Sequence, residues 1–175
     1  MKRLMTAVLS VLTIACLAIT AFAQGNPRGT SKLMINGKTV SVDYGRPSLK
    51  GRTTDELLGQ LKPGALWRLG ADKSTTFATE VDLEFGDVTI PAGQYSIWMQ
   101  RQEDNSWKLL FDKEHGQWGA PSPDASACFA SVPLKETKPA KSIEMVTLTL
   151  HKAAGGGTLT IQWGTLEASA GFKAK

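Results

Sequence analysis

Apolar and polar residues alternate at period 2 through most of this chain, and turn-forming residues interrupt the alternation at a spacing of roughly 8–12 residues. Between residues 77 and 85, Phe77, Thr79, Val81, Leu83 and Phe85 share one face, while Ala78, Glu80, Asp82 and Glu84 share the other. Successive strand side chains point to opposite faces, so this is the pattern of a strand with one wet side. Similar runs occur at 32–35, 38–44, 88–90, 94–100, 107–111, 128–134, 142–150, 158–163 and 166–172. Roughly nine or ten short strands of this kind predict an all-β protein, an antiparallel β-sandwich or barrel, and we take the sandwich as the expected fold.

Local signals support that reading. Asn36-Gly37 between the first two runs is a strong two-residue hairpin signal. Thr53-Thr54-Asp55-Glu56 followed by Leu57, Leu58 and Leu61 reads as a short capped helix near residues 54–61. A threonine oxygen there accepts an orphan amide, and the acids favour the positive end of the helix dipole. Gly59 and Pro63-Gly64 keep it short. The run 113–127 is rich in glycine, proline and serine and carries Trp118, so it reads as a long loop. Gly155-Gly156-Gly157 lies between two strands and reads as a turn.

The first 23 residues read as a signal peptide: Lys2 and Arg3, an apolar run, then Ala21-Phe22-Ala23 ahead of Gln24. Cleavage after Ala23 implies a periplasmic or secreted protein with no transmembrane segment in the mature chain; lipidation at Cys16 is the alternative. Residues 24–30 read as a flexible segment and 31–175 as a single domain. A chain of that length buries roughly 70% of its unfolded surface and needs no metal or disulfide to hold it. The net charge of +4 falls to +2 when Lys2 and Arg3 leave with the leader, too balanced to imply a nucleic acid partner. Without Cys16 the mature chain keeps only Cys128, which alternates with Ala130, Val132 and Leu134 as a core residue would.

The sequence excludes several chemistries. His115 and His151 are the only histidines and show no paired spacing, so neither a structural zinc site nor a three-histidine metal site is available, and we expect no metal and no cofactor. Nucleophile-elbow, phosphate-loop and dinucleotide fingerprints are absent. His115 has Asp112 and Glu114 beside it, which leaves open a hydrolase of glycan or ester substrates using an Asp/Glu pair. An exposed loop histidine is the plainer reading.

Four polar-aromatic blocks remain: 42–47, 66–73, 90–96 and 115–120. In the first, the inward series Val40, Val42, Tyr44 runs at period 2 straight into Arg46. A buried guanidinium requires a carboxylate or several carbonyls, and Asp72 is the expected partner, with Asp112 second. Trp67 and Arg68 are adjacent on an extended segment and must point to opposite sides. An arginine stacked on Trp67 or Trp118 would add about 0.5–2 kcal/mol. The candidate ligand-binding set is therefore Tyr44, Arg46, Trp67, Arg68, Asp72, Lys73 and Trp118, an Arg/Trp-lined cleft for a small molecule, sugar, peptide or cell-envelope partner. The competing reading makes the same residues a polar clasp of the fold, with a structural or assembly role. Trp98, Trp107 and Trp163 sit inside strand patterns and read as core or sheet-face residues.

These blocks, in this order, resemble the domain-of-unknown-function family 2911 of exported bacterial proteins. The resemblance is carried by Asp43-Tyr44-x-Arg46-Pro47-Ser48 with Lys50-Gly51-Arg52, by Trp67-Arg68-x-Gly70-Ala71, by Pro91-Ala92-Gly93-x-Tyr95-Ser96 and by Gln117-Trp118-Gly119. It departs at Asp72-Lys73, where the family usually has Asn or a similar polar residue followed by Glu or Lys. The resemblance implies an exported β-sandwich and brings no reaction with it.

Overall fold

A computed structural model describes residues 25–175; the expected signal peptide and Cys16 lie outside the described residues. The chain opens with a hairpin of β1 (Arg28–Ile35) and β2 (Lys38–Gly45), in register from Ile35↔Lys38 to Arg28↔Gly45. Asn36 and Gly37 both have positive φ, 50° and 77°, as the two-residue turn requires. β1 starts at Arg28, so three residues expected in the flexible start are already paired. Then come α1 (Thr54–Leu58), β3 (Leu66–Trp67), β4 (Thr76–Thr79), β5 (Leu83–Phe85), β6 (Val88–Ile90), β7 (Gly93–Arg101) and β8 (Trp107–Asp112). A 3₁₀ turn (Ala125–Ala127), β9 (Ala130–Pro133), β10 (Lys135–Thr137), β11 (Ile143–Ala153), β12 (Gly156–Gly164) and β13 (Leu166–Ala174) complete the chain.

The fold is the expected antiparallel sandwich. One sheet runs β1-β2-β4-β7-β8-β9, with β3 also paired to β7; the other runs β11-β12-β13-β5-β6, with β10 also paired to β13. Strands outnumber the nine or ten expected because β3 and β10 are too short to alternate visibly, and because the run 77–85 is two strands in different sheets. Thr79 breaks it: its hydroxyl donates to the Val81 carbonyl at 2.6 Å, bending the chain across the corner without interrupting the alternation. The glycine turn falls at Ala154-Gly155, and Gly156 and Gly157 already belong to β12. At one corner the two sheets meet through the Leu150 amide of β11, which donates to the Ser31 hydroxyl of β1 at 2.9 Å.

Inward residues of both sheets form one aromatic-rich core. Phe77 and Phe111 from the first sheet meet Phe85 and Phe172 from the second, with ring centroids 5.1–5.7 Å apart for Phe85–Phe172, Phe85–Phe111 and Phe77–Phe111. Such pairs contribute about 0.5–1.5 kcal/mol each beyond the burial of their area. Trp98, Trp107 and Trp163 are buried, as their strand positions predict. Helix α1 is fixed by a capping box in which Thr53 accepts from the Glu56 amide and Glu56 reaches back to the Thr53 amide.

Candidate functional site

The first two blocks meet backbone to backbone. A Cβ added at Gly45 would lie 2.1 Å from the Ala71 carbonyl oxygen, and one at Gly70 would lie 2.7 Å from the Gly45 oxygen. Only glycine permits this approach. Just beyond it, the chain leaves β2 and crosses to the other sheet. The Arg46 amide donates to the Pro27 carbonyl at 2.7 Å, the Val146 amide to the Pro47 carbonyl at 3.1 Å and the Leu49 amide to the Glu144 carbonyl at 2.9 Å. Arg46 itself, half-buried, donates from Nε to the Val146 carbonyl at 3.2 Å and from Nη2 to the Thr147 hydroxyl at 3.4 Å. Its side chain and the buried Tyr44 ring both lie over Gly29, where a Cβ would come within 2.7 Å of Arg46 Cδ and 2.8 Å of Tyr44 Cζ. Arg46 therefore bridges the two sheets.

The fourth block docks on the second. The Gly119 amide donates to the Asp72 carbonyl at 2.8 Å, the Ser74 amide to the Gln117 carbonyl at 2.9 Å, and Lys73 and Trp118 form an isolated bridge. Arg68 lies along Gly119, whose Cβ would meet Arg68 Cδ at 2.8 Å. These contacts pin the loop and leave Trp118 59% exposed at its surface. Asp72 adopts a left-handed backbone, φ 63°, and its carboxylate accepts from the Asn26 amide at 2.9 Å. The third block joins through its flanks: the Ser96 amide donates to the Glu114 carbonyl at 3.2 Å and the Ile97 amide to the Thr75 carbonyl at 3.0 Å. Tyr95 turns inward and donates to the Pro91 carbonyl, and burial, with Asp82 nearby, pushes its phenol above the ordinary value.

Several expected contacts are replaced. Arg46 pairs with neither Asp72 nor Asp112; the main-chain carbonyl of Val146 and the Thr147 hydroxyl hold it instead, because residues 46–49 lie against the start of β11. Asp112 is buried and accepts from the Glu114 amide. Trp67 carries no arginine: it stacks on Trp163 at 5.6 Å and 14°, tying β3 to β12. Cation–π contacts occur elsewhere, at Arg101–Trp107 and Lys113–Phe129. Cys128 caps the 3₁₀ turn and is half-buried, not a core-strand residue. Burial, with Asp112 and Asp124 close by, pushes its thiol up to about 11, so it is a poor nucleophile at neutral pH. His115 is exposed. Among the described residues no three His, Cys, Asp or Glu side chains cluster so as to hold a metal ion, and no helix is long and apolar enough to cross a membrane.

The structure also contains a cleft of about 800 Å³ lined by none of the seven candidates. Its walls come from α1, the β7–β8 turn, β10 and the β12–β13 turn, with Arg101, Trp107 and Glu136 among the lining residues. No sequence pattern marks it: its residues are drawn from four separated segments, and the one motif among them, the helix cap at 53–56, explains the helix rather than the cleft.

A family described as "Protein of unknown function (DUF2911)" matches residues 26–172. No curated protein and no solved structure matches the chain. The match spans nearly all of the described residues and all four blocks, and the chain belongs to this family.

Proposed function

We propose that this family member acts after export as a non-enzymatic binding module, and that the four blocks divide into a clasp and a presenting face. Tyr44, Arg46, Trp67 and Asp72 are engaged internally and hold the two sheets and the N-terminal strand together. Trp118, Arg68 and Lys73 form the face offered to a ligand. The observation that carries this reading is Trp118, 59% exposed yet fixed by the Lys73 bridge and by the Gly119–Asp72 hydrogen bond. A large apolar ring exposed on a main chain fixed by these contacts is a ready stacking surface, because the loop that carries it need not be ordered on binding. With the cations Arg68 and Lys73 beside it, the face suits a ring-bearing ligand with an anionic substituent, such as an acidic sugar.

The test is a thermal-shift and tryptophan-fluorescence screen of the wild-type protein, Trp118→Ala and Arg46→Gln against neutral and acidic sugars and peptidoglycan fragments. A ligand at 100 times its Kd stabilises by about 2.7 kcal/mol. The expected result is a shift that Trp118→Ala abolishes without lowering the ligand-free Tm, and that Arg46→Gln keeps on a destabilised protein. A shift unchanged in Trp118→Ala, or no shift with any of these ligands, would refute this face as the site.

A further inference from the structure

The cleft beside α1 has the parts of a peptide groove. One wall is β10, a three-residue strand whose only pairing among the described residues is with β13, in register from Lys135↔Ser169 to Thr137↔Glu167. On its other side β13 pairs with β12 over the same residues, so β10 is the outermost strand of that half of the sheet. Lys135, Glu136 and Thr137 are all exposed. An outer strand carries unpaired main-chain N–H and C=O groups along its free edge, and an added strand can satisfy them. Another wall is the short helix α1. A helix and a strand edge enclosing one cleft suit an extended segment lying between them, and the volume falls within the range of ligand sites.

The second observation is a cation with nothing acidic bound to it. Arg101, at the end of β7, places its guanidinium 5.8 Å from the centroid of the buried Trp107 ring. Nη1 donates to the Leu58 carbonyl at the end of α1, at 3.1 Å, and Nη2 to Asn105 Oδ1 at 2.7 Å. Both acceptors are uncharged. The ion pairs among the described residues are Arg28–Asp43 and Lys175–Glu84, and Arg101 is in neither. Arg101 is thus held by three neighbours and borders the cleft; the Glu136 carboxylate of β10 lies within its electrostatic reach but makes no ion pair with it, so the preorganised guanidinium is open to a carboxylate acceptor. Glu136 and Lys138 on the β10 side give that wall charges of both signs, which suits a polar peptide.

We infer that this cleft binds an extended peptide segment that adds to the free edge of β10 and presents a carboxylate to Arg101. The site is separate from the Trp118 face and shares no residue with it. The carboxylate comes either from the peptide's C-terminus or from an Asp or Glu side chain, and the probes below separate the two.

The experiment is amide NMR of the ¹⁵N-labelled protein, titrated with pools of acetylated hexapeptides of randomised sequence. One pool has free C-termini and no acidic side chains, a second is its C-terminal amide, a third is amidated but contains aspartate, and a fourth repeats the first with alternate residues N-methylated. The expected result is perturbation of residues 135–137 and of Arg101, with the neutral amide pool at least about tenfold weaker, as loss of a charged hydrogen bond implies. N-methylation should abolish binding, because it removes the donors that a strand ladder needs. Binding by the first pool assigns the carboxylate to the C-terminus, and by the third to a side chain. Equal binding of neutral and acidic pools, tolerance of N-methylation, perturbations centred outside the cleft, or no binding by any pool would each overturn the inference. Arg101→Gln should lose the preference for acidic pools while keeping wild-type amide positions outside the cleft; a retained preference would overturn the role of Arg101.

Discussion

Replacing Gly45 by alanine tests whether contact between the first two blocks holds the fold. The new methyl would sit 2.1 Å from the Ala71 carbonyl oxygen and 2.8 Å from both the Ala71 carbonyl carbon and amide nitrogen. All three obstacles are main chain, so no rotamer change relieves them. Overpacking against side chains usually costs about 1–3 kcal/mol. Here relief requires the 70–72 backbone to move, and that backbone also anchors Gly119 and, through Asp72, Asn26. We expect a loss of about 3 kcal/mol or more, which lowers Tm by about 6–12 °C in a domain of this size. Gly37→Ala is the control: its Cβ would meet nothing within 4 Å, but φ is 77°, so only the left-handed conformation is penalised, at about 1–2 kcal/mol. Gly29→Ala should fall between, since its Cβ meets the flexible Arg46 side chain as well as the Tyr44 ring. Urea unfolding followed by tryptophan fluorescence measures all three. A Gly45→Ala protein within about 1 kcal/mol of wild type, or one no less stable than Gly37→Ala, would refute the argument that the blocks are joined there.

Three other outcomes follow from the same geometry. Trp98 Nε1 donates to the Ser96 hydroxyl at 2.9 Å, both residues being buried, whereas Trp163 Nε1 is buried without a partner among the described residues. Trp98→Phe should therefore cost about 1–3 kcal/mol more than Trp163→Phe in the same unfolding assay, because only the first leaves a buried group unpaired. Glu56, Glu80 and Glu144 are held below the ordinary carboxylate value of 4.5 by hydrogen bonds from Thr53, from Thr39, and from Ser48 and Lys50 respectively. A depressed folded pKa contributes stability that is present above the unfolded value and lost as pH falls through the folded one. The urea midpoint should thus decline below about pH 4.5, and Glu144→Gln should flatten that decline. Cys128, its thiol pushed up to about 11, should react slowly with a disulfide reagent at neutral pH and faster as pH rises; rapid labelling at neutral pH would contradict the burial assigned to it.

What the chain settles by itself is whatever a few neighbouring residues can specify. Alternation at period 2 gave the β class, Asn36-Gly37 gave the first turn, and Thr53 with Glu56 gave the helix start, since each depends on backbone sterics and hydrogen bonds within four residues. The four blocks were also legible, as was the inward direction of Tyr44. Their partners were not. Arg46 was expected to seek a carboxylate, but it bonds to Val146 and Thr147, about 100 residues away, because the 46–49 segment lies along β11. Arginine stacking was open to Trp67 or Trp118, and at Trp67 the Trp163 ring from the opposite sheet takes that place. The run 77–85 alternates without a break, yet its halves join different sheets, since a corner preserves which face is inside while changing which strand lies alongside. The cleft of Arg101 and β10 left no local trace, because four segments build it and only their packing brings them together. Local propensity acts over one turn or one strand, whereas pairing and cleft formation follow from how the whole core closes, and that is where the tertiary structure decides.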